Sequence, residues 1–135
     1  MTPATETQTN QATRPGQRAA AVAALAALGV VVPHRWPMAR IRGRAATLSA
    51  LVRETIAEHE RHAGAYCWRP RGNASARRRA EYDDTYTVGA YTVRQYHHES
   101  CRNVYYRLIV TRPDGSRGTV RDLRQIERAL REVAK

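Results

Sequence analysis

The sequence predicts an α+β protein: an N-terminal helical pair, then a three-stranded antiparallel sheet with a C-terminal helix packed on it. Apolar residues recur at helical spacing before residue 60, alternate with polar residues from about 85 to 110, and return to helical spacing after 120. A chain of 135 residues suits one domain with a tail, or two very small modules. We divide it into a disordered tail (1–16), a helical region (17–68), a basic and acidic linker (69–84) and a β-β-β-α module (85–135).

Two helices are predicted in the first half. Pro15 is well placed to open an alanine-rich helix that Gly29 ends, and residues 30–40 form an extended segment or loop because two prolines interrupt them. The second helix has Thr47 as its cap and Gly64 at its end. Its apolar stripe consists of Leu48, Leu51, Val52 and Ile56. The two helices either pack together or form a homodimer surface.

The strands are predicted from a period of two. Tyr86 and Val88 share one face, Tyr91 and Val93 have the opposite numbering parity, and Gly89 between them indicates a bulge. The core face of the next strand is predicted to carry Val104, Tyr106, Leu108 and Val110.

A hairpin turn at residues 113–115, Pro-Asp-Gly, leads into a short third strand that ends near Thr119. Thr119 and Asp122 have the spacing of a capping box. The helix that follows has an apolar stripe of Leu123, Ile126, Leu130 and Val133.

The stretches YYRLIVTRPDGSRGTV and DLRQIERALREV, within residues 104–134, resemble the arm-type DNA-binding modules of tyrosine recombinases. In that family a three-stranded sheet enters the major groove and a helix packs behind it. The resemblance implies a DNA-binding sheet in this chain.

Charge gives the main functional signal. The chain has 23 basic and 12 acidic residues, a net charge of +11, and every basic residue except Lys135 is arginine. The basic residues are segregated, since residues 7–53 contain seven arginines and no acid. GC-rich coding explains arginine in place of lysine but not this excess or this clustering. Clustered guanidinium groups favour a polyanionic partner, above all nucleic acid, with DNA favoured over RNA.

We predict three groups of nucleic-acid-binding residues. The first two supply phosphate contacts and the third, on exposed strand positions, combines charge for phosphates with rings for bases. They are Arg40, Arg42 and Arg44; Arg69, Arg71, Arg77, Arg78 and Arg79; and Arg94, Tyr96, Tyr105 and Arg107. Since the chain has seven Tyr and no Phe, some Tyr rings must serve as core instead.

The last helix carries an arginine stripe at positions 121, 124, 128 and 131. The stripe either follows a phosphate backbone or belongs to a solvated face that Glu127 and Glu132 partly neutralise.

Metal binding and catalysis receive weaker support. A closed zinc site formed by His62, Cys67, His98 and Cys101 is the alternative to a surface loop with two reduced thiols. The stretch HERH at 59–62 is one residue short of the zinc-protease signature. We therefore expect no cofactor, no metal and no enzymatic activity.

Two cysteines are too few for a disulfide framework, which indicates a reducing, cytoplasmic setting. The apolar run at 19–32 is shorter than the roughly 20 residues that span a bilayer, so we expect no membrane association. The sequence predicts a small DNA-binding accessory or regulatory protein of the kind found in bacteria and their mobile elements. The alternative is a non-enzymatic interaction or structural protein, such as a particle component or an inhibitor, that docks on an acidic protein surface.

Overall fold

A computed structural model describes residues 16–62, 81–99 and 104–135. The helices are α1 (Gln17–Ala27), α2 (Met38–Arg61) and α3 (Val120–Ala134). The strands are β1 (Glu81–Val88), β2 (Tyr91–Glu99), β3 (Val104–Thr111) and β4 (Arg117–Gly118). All neighbouring strands are antiparallel and follow the chain in the order β1-β2-β3-β4.

The α+β class is confirmed, but the sheet has four strands and the predicted bulge at Gly89 is wrong. Val88 pairs with Tyr91, so Gly89 and Ala90 are the two residues of a hairpin turn. Gly89 has a φ of 59° and Ala90 has no positive φ, as in a type II′ turn with glycine at its first central position. The first predicted strand is thus a hairpin of two strands, β1 and β2.

Helix α1 ends on this hairpin. The amide groups of Gly29 and Val30 donate to the carbonyl groups of Ala26 and Leu25, which is the Schellman arrangement that the predicted terminal glycine permits. The carbonyl group of Leu28, just before that glycine, accepts from the Ala90 amide at 3.0 Å. The C-terminus of α1 is therefore fixed to the β1–β2 turn.

Helix α2 begins at Met38, ten residues before Leu48, which follows the predicted cap Thr47. Pro37 is the N-cap in an extended conformation, which agrees with the preference of proline for the start of a helix. Thr47 lies inside the helix, where its hydroxyl group donates to the Gly43 carbonyl group at 3.0 Å. Ile41 and Ala45 extend the apolar stripe toward the N-terminus, and both are fully buried.

The strands and the C-terminal helix agree closely with the expected pattern. Both contacts of the capping box are present, since the backbone N–H of Asp122 donates to the Thr119 side chain and Thr119 N–H donates to Asp122 Oδ2. Arg121 N–H also donates to Thr119 Oγ1. The 113–115 turn is held by the Asp114 carboxylate, which accepts from the amide and hydroxyl groups of Ser116. Strand β1 begins at Glu81, so residues 81–84, predicted as the end of the linker, lie in the sheet.

One core joins the helical region to the sheet. The inner face of the sheet contributes Val88, Val93 and Val110 to the same buried cluster as the stripes of the three helices. Helix α3 packs along α2 with Leu123, Ile126 and Leu130 at the centre of the cluster. The described helices therefore lie on one face of the sheet, and no described element packs on the opposite face.

Candidate nucleic-acid interface

The outer face of the sheet, on the side away from the helices, carries the four predicted strand residues Arg94, Tyr96, Tyr105 and Arg107. Their positions alternate with inner-face residues such as Val93 and Tyr106, which are buried. In the β2–β3 register Tyr96 lies opposite Arg107, and His98 lies opposite Tyr105. The predicted alternation thus brings all four residues to one surface.

Two tyrosine rings form the centre of this outer face. The centroids of the Tyr96 and Tyr105 rings are 5.9 Å apart, and the ring planes meet at 78° in an edge-to-face arrangement. Tyr105 is 40% exposed, and Tyr96 is half-buried. The pair therefore presents part of its aromatic surface to solvent.

The arginines around the ring pair differ in the charge that they can offer. Arg94 Nε and Nη2 donate to the two carboxylate oxygens of Asp83 at 2.8 and 2.6 Å. This ion pair lowers the pKa of Asp83 and raises that of Arg94, so both groups stay charged and neutralise each other. Arg107 is exposed and forms no ion pair with any described side chain.

Arg117 on β4 also lies on the outer face, because its neighbour Gly118 pairs with the inner-face residue Val110. It is exposed and has no ion-pair partner among the described residues. Arg117 was not among the residues predicted from the sequence. The turn before it and the alternation after Pro113 would have placed it on the outer face. Among the described residues, Arg107 and Arg117 are thus the two outer-face arginines without an ion-pair partner.

The arginines near the start of α2 lie in the helical layer and do not join the outer face. The Arg40 guanidinium group is 4.5 Å from the centroid of the Trp36 ring, a cation–π contact, and Arg44 is exposed one turn later. Arg42 is half-buried next to the core residue Ile41. All three arginines are helical because α2 begins at Met38. Arg40 is therefore not in the extended segment or loop that was predicted for residues 30–40.

The second predicted group lies outside the described residues. This group comprises Arg69, Arg71, Arg77, Arg78 and Arg79. Their role in phosphate contact stays a prediction.

Half of the α3 stripe is engaged in ion pairs. Arg124 pairs with Glu60 of α2 at 2.8 Å, and Arg131 pairs with Glu127 at 3.7 Å. Glu127 is not on a solvated face: it is only 8% exposed and accepts a hydrogen bond from Ser49 Oγ at 3.0 Å. The Glu127 side chain therefore joins α3 to α2 and also pairs with Arg131 of the stripe.

Two members of the predicted zinc set, Cys67 and Cys101, lie outside the described residues. The other two are on opposite faces of the sheet, since His62 packs against the inner-face residues His97 and Tyr106, whereas the register puts His98 on the outer face. Within the described ranges no three His, Cys, Asp or Glu side chains converge as a metal site.

A groove of about 600 Å³ runs between α2 and the edge strand β1. Glu54, Glu58 and Asp84 line it, and at its floor the hydroxyl groups of Thr55 and Tyr86 share a hydrogen bond of 2.5 Å. Burial raises the pKa of Tyr86 and keeps its phenol neutral. The carboxylates that line this groove repel phosphate, so the groove does not suit a nucleic-acid backbone.

Comparisons with known proteins give no match to a protein-family model, a curated protein or a solved structure. Among the described helices, none is both long and apolar enough to cross a membrane.

Proposed function

We propose that the protein binds nucleic acid through the outer face of its sheet, as a small accessory or regulatory protein. The observation that carries the proposal is the Tyr96–Tyr105 ring pair, in which Tyr105 is exposed and Tyr96 half-buried. Arg107, which has no ion-pair partner among the described residues, lies directly opposite Tyr96. Aromatic rings provide stacking surfaces for bases, and a free guanidinium group beside them provides a phosphate contact. The net charge of +11 supplies the long-range attraction.

DNA is the favoured partner. Strands β2 and β3, the short β4 and helix α3 follow one another in the order that tyrosine-recombinase arm modules have, with the helix behind the sheet. A strand of only two residues at β4 leaves little length for insertion into a groove, so the ring pair on β2 and β3 is proposed as the main contact. The bacterial mobile-element setting and the cytoplasmic location belong to the same proposal.

Fluorescence anisotropy with single- and double-stranded oligonucleotides over a range of salt concentrations tests the proposal. Binding should weaken as salt rises, because displaced counterions return to the phosphates. The variant R107A should reduce the slope of log affinity against log salt by about 0.7 to 0.9, the value for one phosphate contact. The variant Y105A should cost about 1–3 kcal/mol of binding if a base stacks on that ring.

The variant R128A is the matched control. Arg128 is exposed on α3 and has no ion-pair partner among the described residues, so R128A removes the same charge from the helical layer. If R128A flattens the salt dependence as much as R107A does, the outer face is not the binding surface. If the protein ignores every oligonucleotide at low ionic strength, the proposal is wrong, and docking on an acidic protein surface takes its place.

A further inference from the structure

A cluster of imidazole rings lies on the inner side of the sheet, where α2 ends. His59 and His62 belong to the last turns of α2, and His97 belongs to the inner face of β2. The His62 ring centroid is 4.8 Å from that of His97 and 4.9 Å from that of Tyr106. The His59 ring is 6.1 Å from that of Tyr106. The fold thus brings together the rings of His62 and His97, which are 35 residues apart in the sequence.

The separation of the His62 and His97 rings suits two ligands of one ion. With Zn–N bonds of about 2.1 Å and a tetrahedral angle, the centroids of two coordinating imidazoles lie about 5 Å apart. His97 is only 5% exposed, and both of its ring nitrogens are shielded from solvent. The neutral imidazole ring is the form that binds a metal.

A carboxylate orients one of the two rings. Glu58 Oε2 lies 3.1 Å from His62 Nε2, and the other nitrogen of that ring, Nδ1, is shielded from solvent. A carboxylate on one imidazole nitrogen fixes the tautomer and increases the basicity of the other nitrogen, as it does around protein-bound zinc. This contact is independent of the ring separation and selects Nδ1 as the donor of His62.

We propose that His62 and His97 bind one divalent transition-metal ion, above all Zn²⁺, where the end of α2 meets β2. Imidazole nitrogen suits Zn²⁺, Cu²⁺ and Ni²⁺ far better than the hard ions Mg²⁺ or Ca²⁺. No third ligand converges within the described part of the chain, so water or other side chains complete the coordination. Such an ion would connect the helical layer to the sheet, and the site is separate from the proposed nucleic-acid interface.

The pair His97 and His98 provides a matched control for this site. The two residues are adjacent, but the register puts them on opposite faces of the sheet. The full-length protein is stripped with a chelator, exchanged into buffer and titrated with ZnCl₂ by calorimetry. Wild type and H98A should each take up one equivalent, whereas H62A and H97A should lose at least about 100-fold in affinity. E58Q, which keeps the shape but loses the carboxylate, should lose about tenfold.

A second measurement addresses folding. Because His97 is buried, circular dichroism of each metal-free variant must show the wild-type helix content, and the more accessible H62A carries the test if H97A unfolds. The proposal is overturned if the wild type takes up no Zn²⁺, if H62A binds as tightly as wild type, or if H98A loses as much affinity as H97A.

Discussion

Replacing Gly89 by alanine should detach α1 from the β1–β2 hairpin. Gly89 has a φ of 59°, and a left-handed conformation costs an L-residue about 1–2 kcal/mol. A methyl group there would also lie 2.1 Å from the Leu28 carbonyl oxygen and 2.7 Å from the Gly29 carbonyl carbon. Both are backbone atoms, so the end of α1 must move.

The size of the effect follows from these contacts. Movement of α1 breaks the hydrogen bond from the Ala90 amide to the Leu28 carbonyl group, worth about 0.5–1.5 kcal/mol. With the conformational cost, G89A should lower the free energy of unfolding by about 1.5–3.5 kcal/mol. Urea denaturation followed by far-ultraviolet circular dichroism measures this loss.

Gly115 provides the control for backbone conformation. Its φ is 89°, and a methyl group at this position would meet no atom within 4 Å. G115A should therefore show only the conformational cost, about 1–2 kcal/mol. If G89A and G115A destabilise the protein equally, the helix-to-hairpin contact contributes nothing and the reasoning fails.

Two further predictions concern α3. D122A removes the carboxylate that caps Thr119 and pairs with Arg112, and should cost about 1–2 kcal/mol of stability in urea denaturation at neutral pH. The Arg112 hydrogen bond lowers the pKa of Asp122 below 3.8, so its contribution is present above that pH and is lost as the pH falls through the lowered pKa. Wild type and D122A should therefore converge in stability in strong acid, and a constant difference down to pH 2 would contradict this. E127A leaves the Ser49 hydroxyl group without its acceptor, although Arg53 still donates to that group, and should cost about 1–3 kcal/mol. The isosteric E127Q, which can still accept the hydrogen bond, should cost less. Equal losses would show that the charge of Glu127, which also pairs with Arg53, matters more than the hydrogen bond.

Local signals predicted the C-terminal module well because each depends on neighbouring residues. The Thr119 and Asp122 capping box needs only a three-residue spacing, and the alternation along β3 needs only a period of two. The bulge at Gly89 failed for a physical reason. A bulge and a two-residue hairpin both shift the numbering parity of inward residues, as between Val88 and Tyr91, and only the partner strand distinguishes them.

The site residues follow the same division. Strand alternation correctly put Tyr96 and Tyr105 on one face, since it depends on the pleat alone. It could not show that Asp83 neutralises Arg94, because that contact crosses two strands whose pairing was unknown. The sequence pattern of α3 could not show that Glu127 is buried either, because the helix that packs on it, α2, precedes it by many residues.

The pairing of α2 with α3 has a consequence for biosynthesis. Ser49 and Glu127, which meet in that interface, are 78 residues apart in the chain. During translation α2 emerges long before α3, the helix that buries its apolar stripe. Ile41, Leu48 and Val52 therefore stay exposed to water, or bound to a chaperone, until α3 is synthesised. The nascent protein is thus most prone to aggregate in the interval between the synthesis of these two helices.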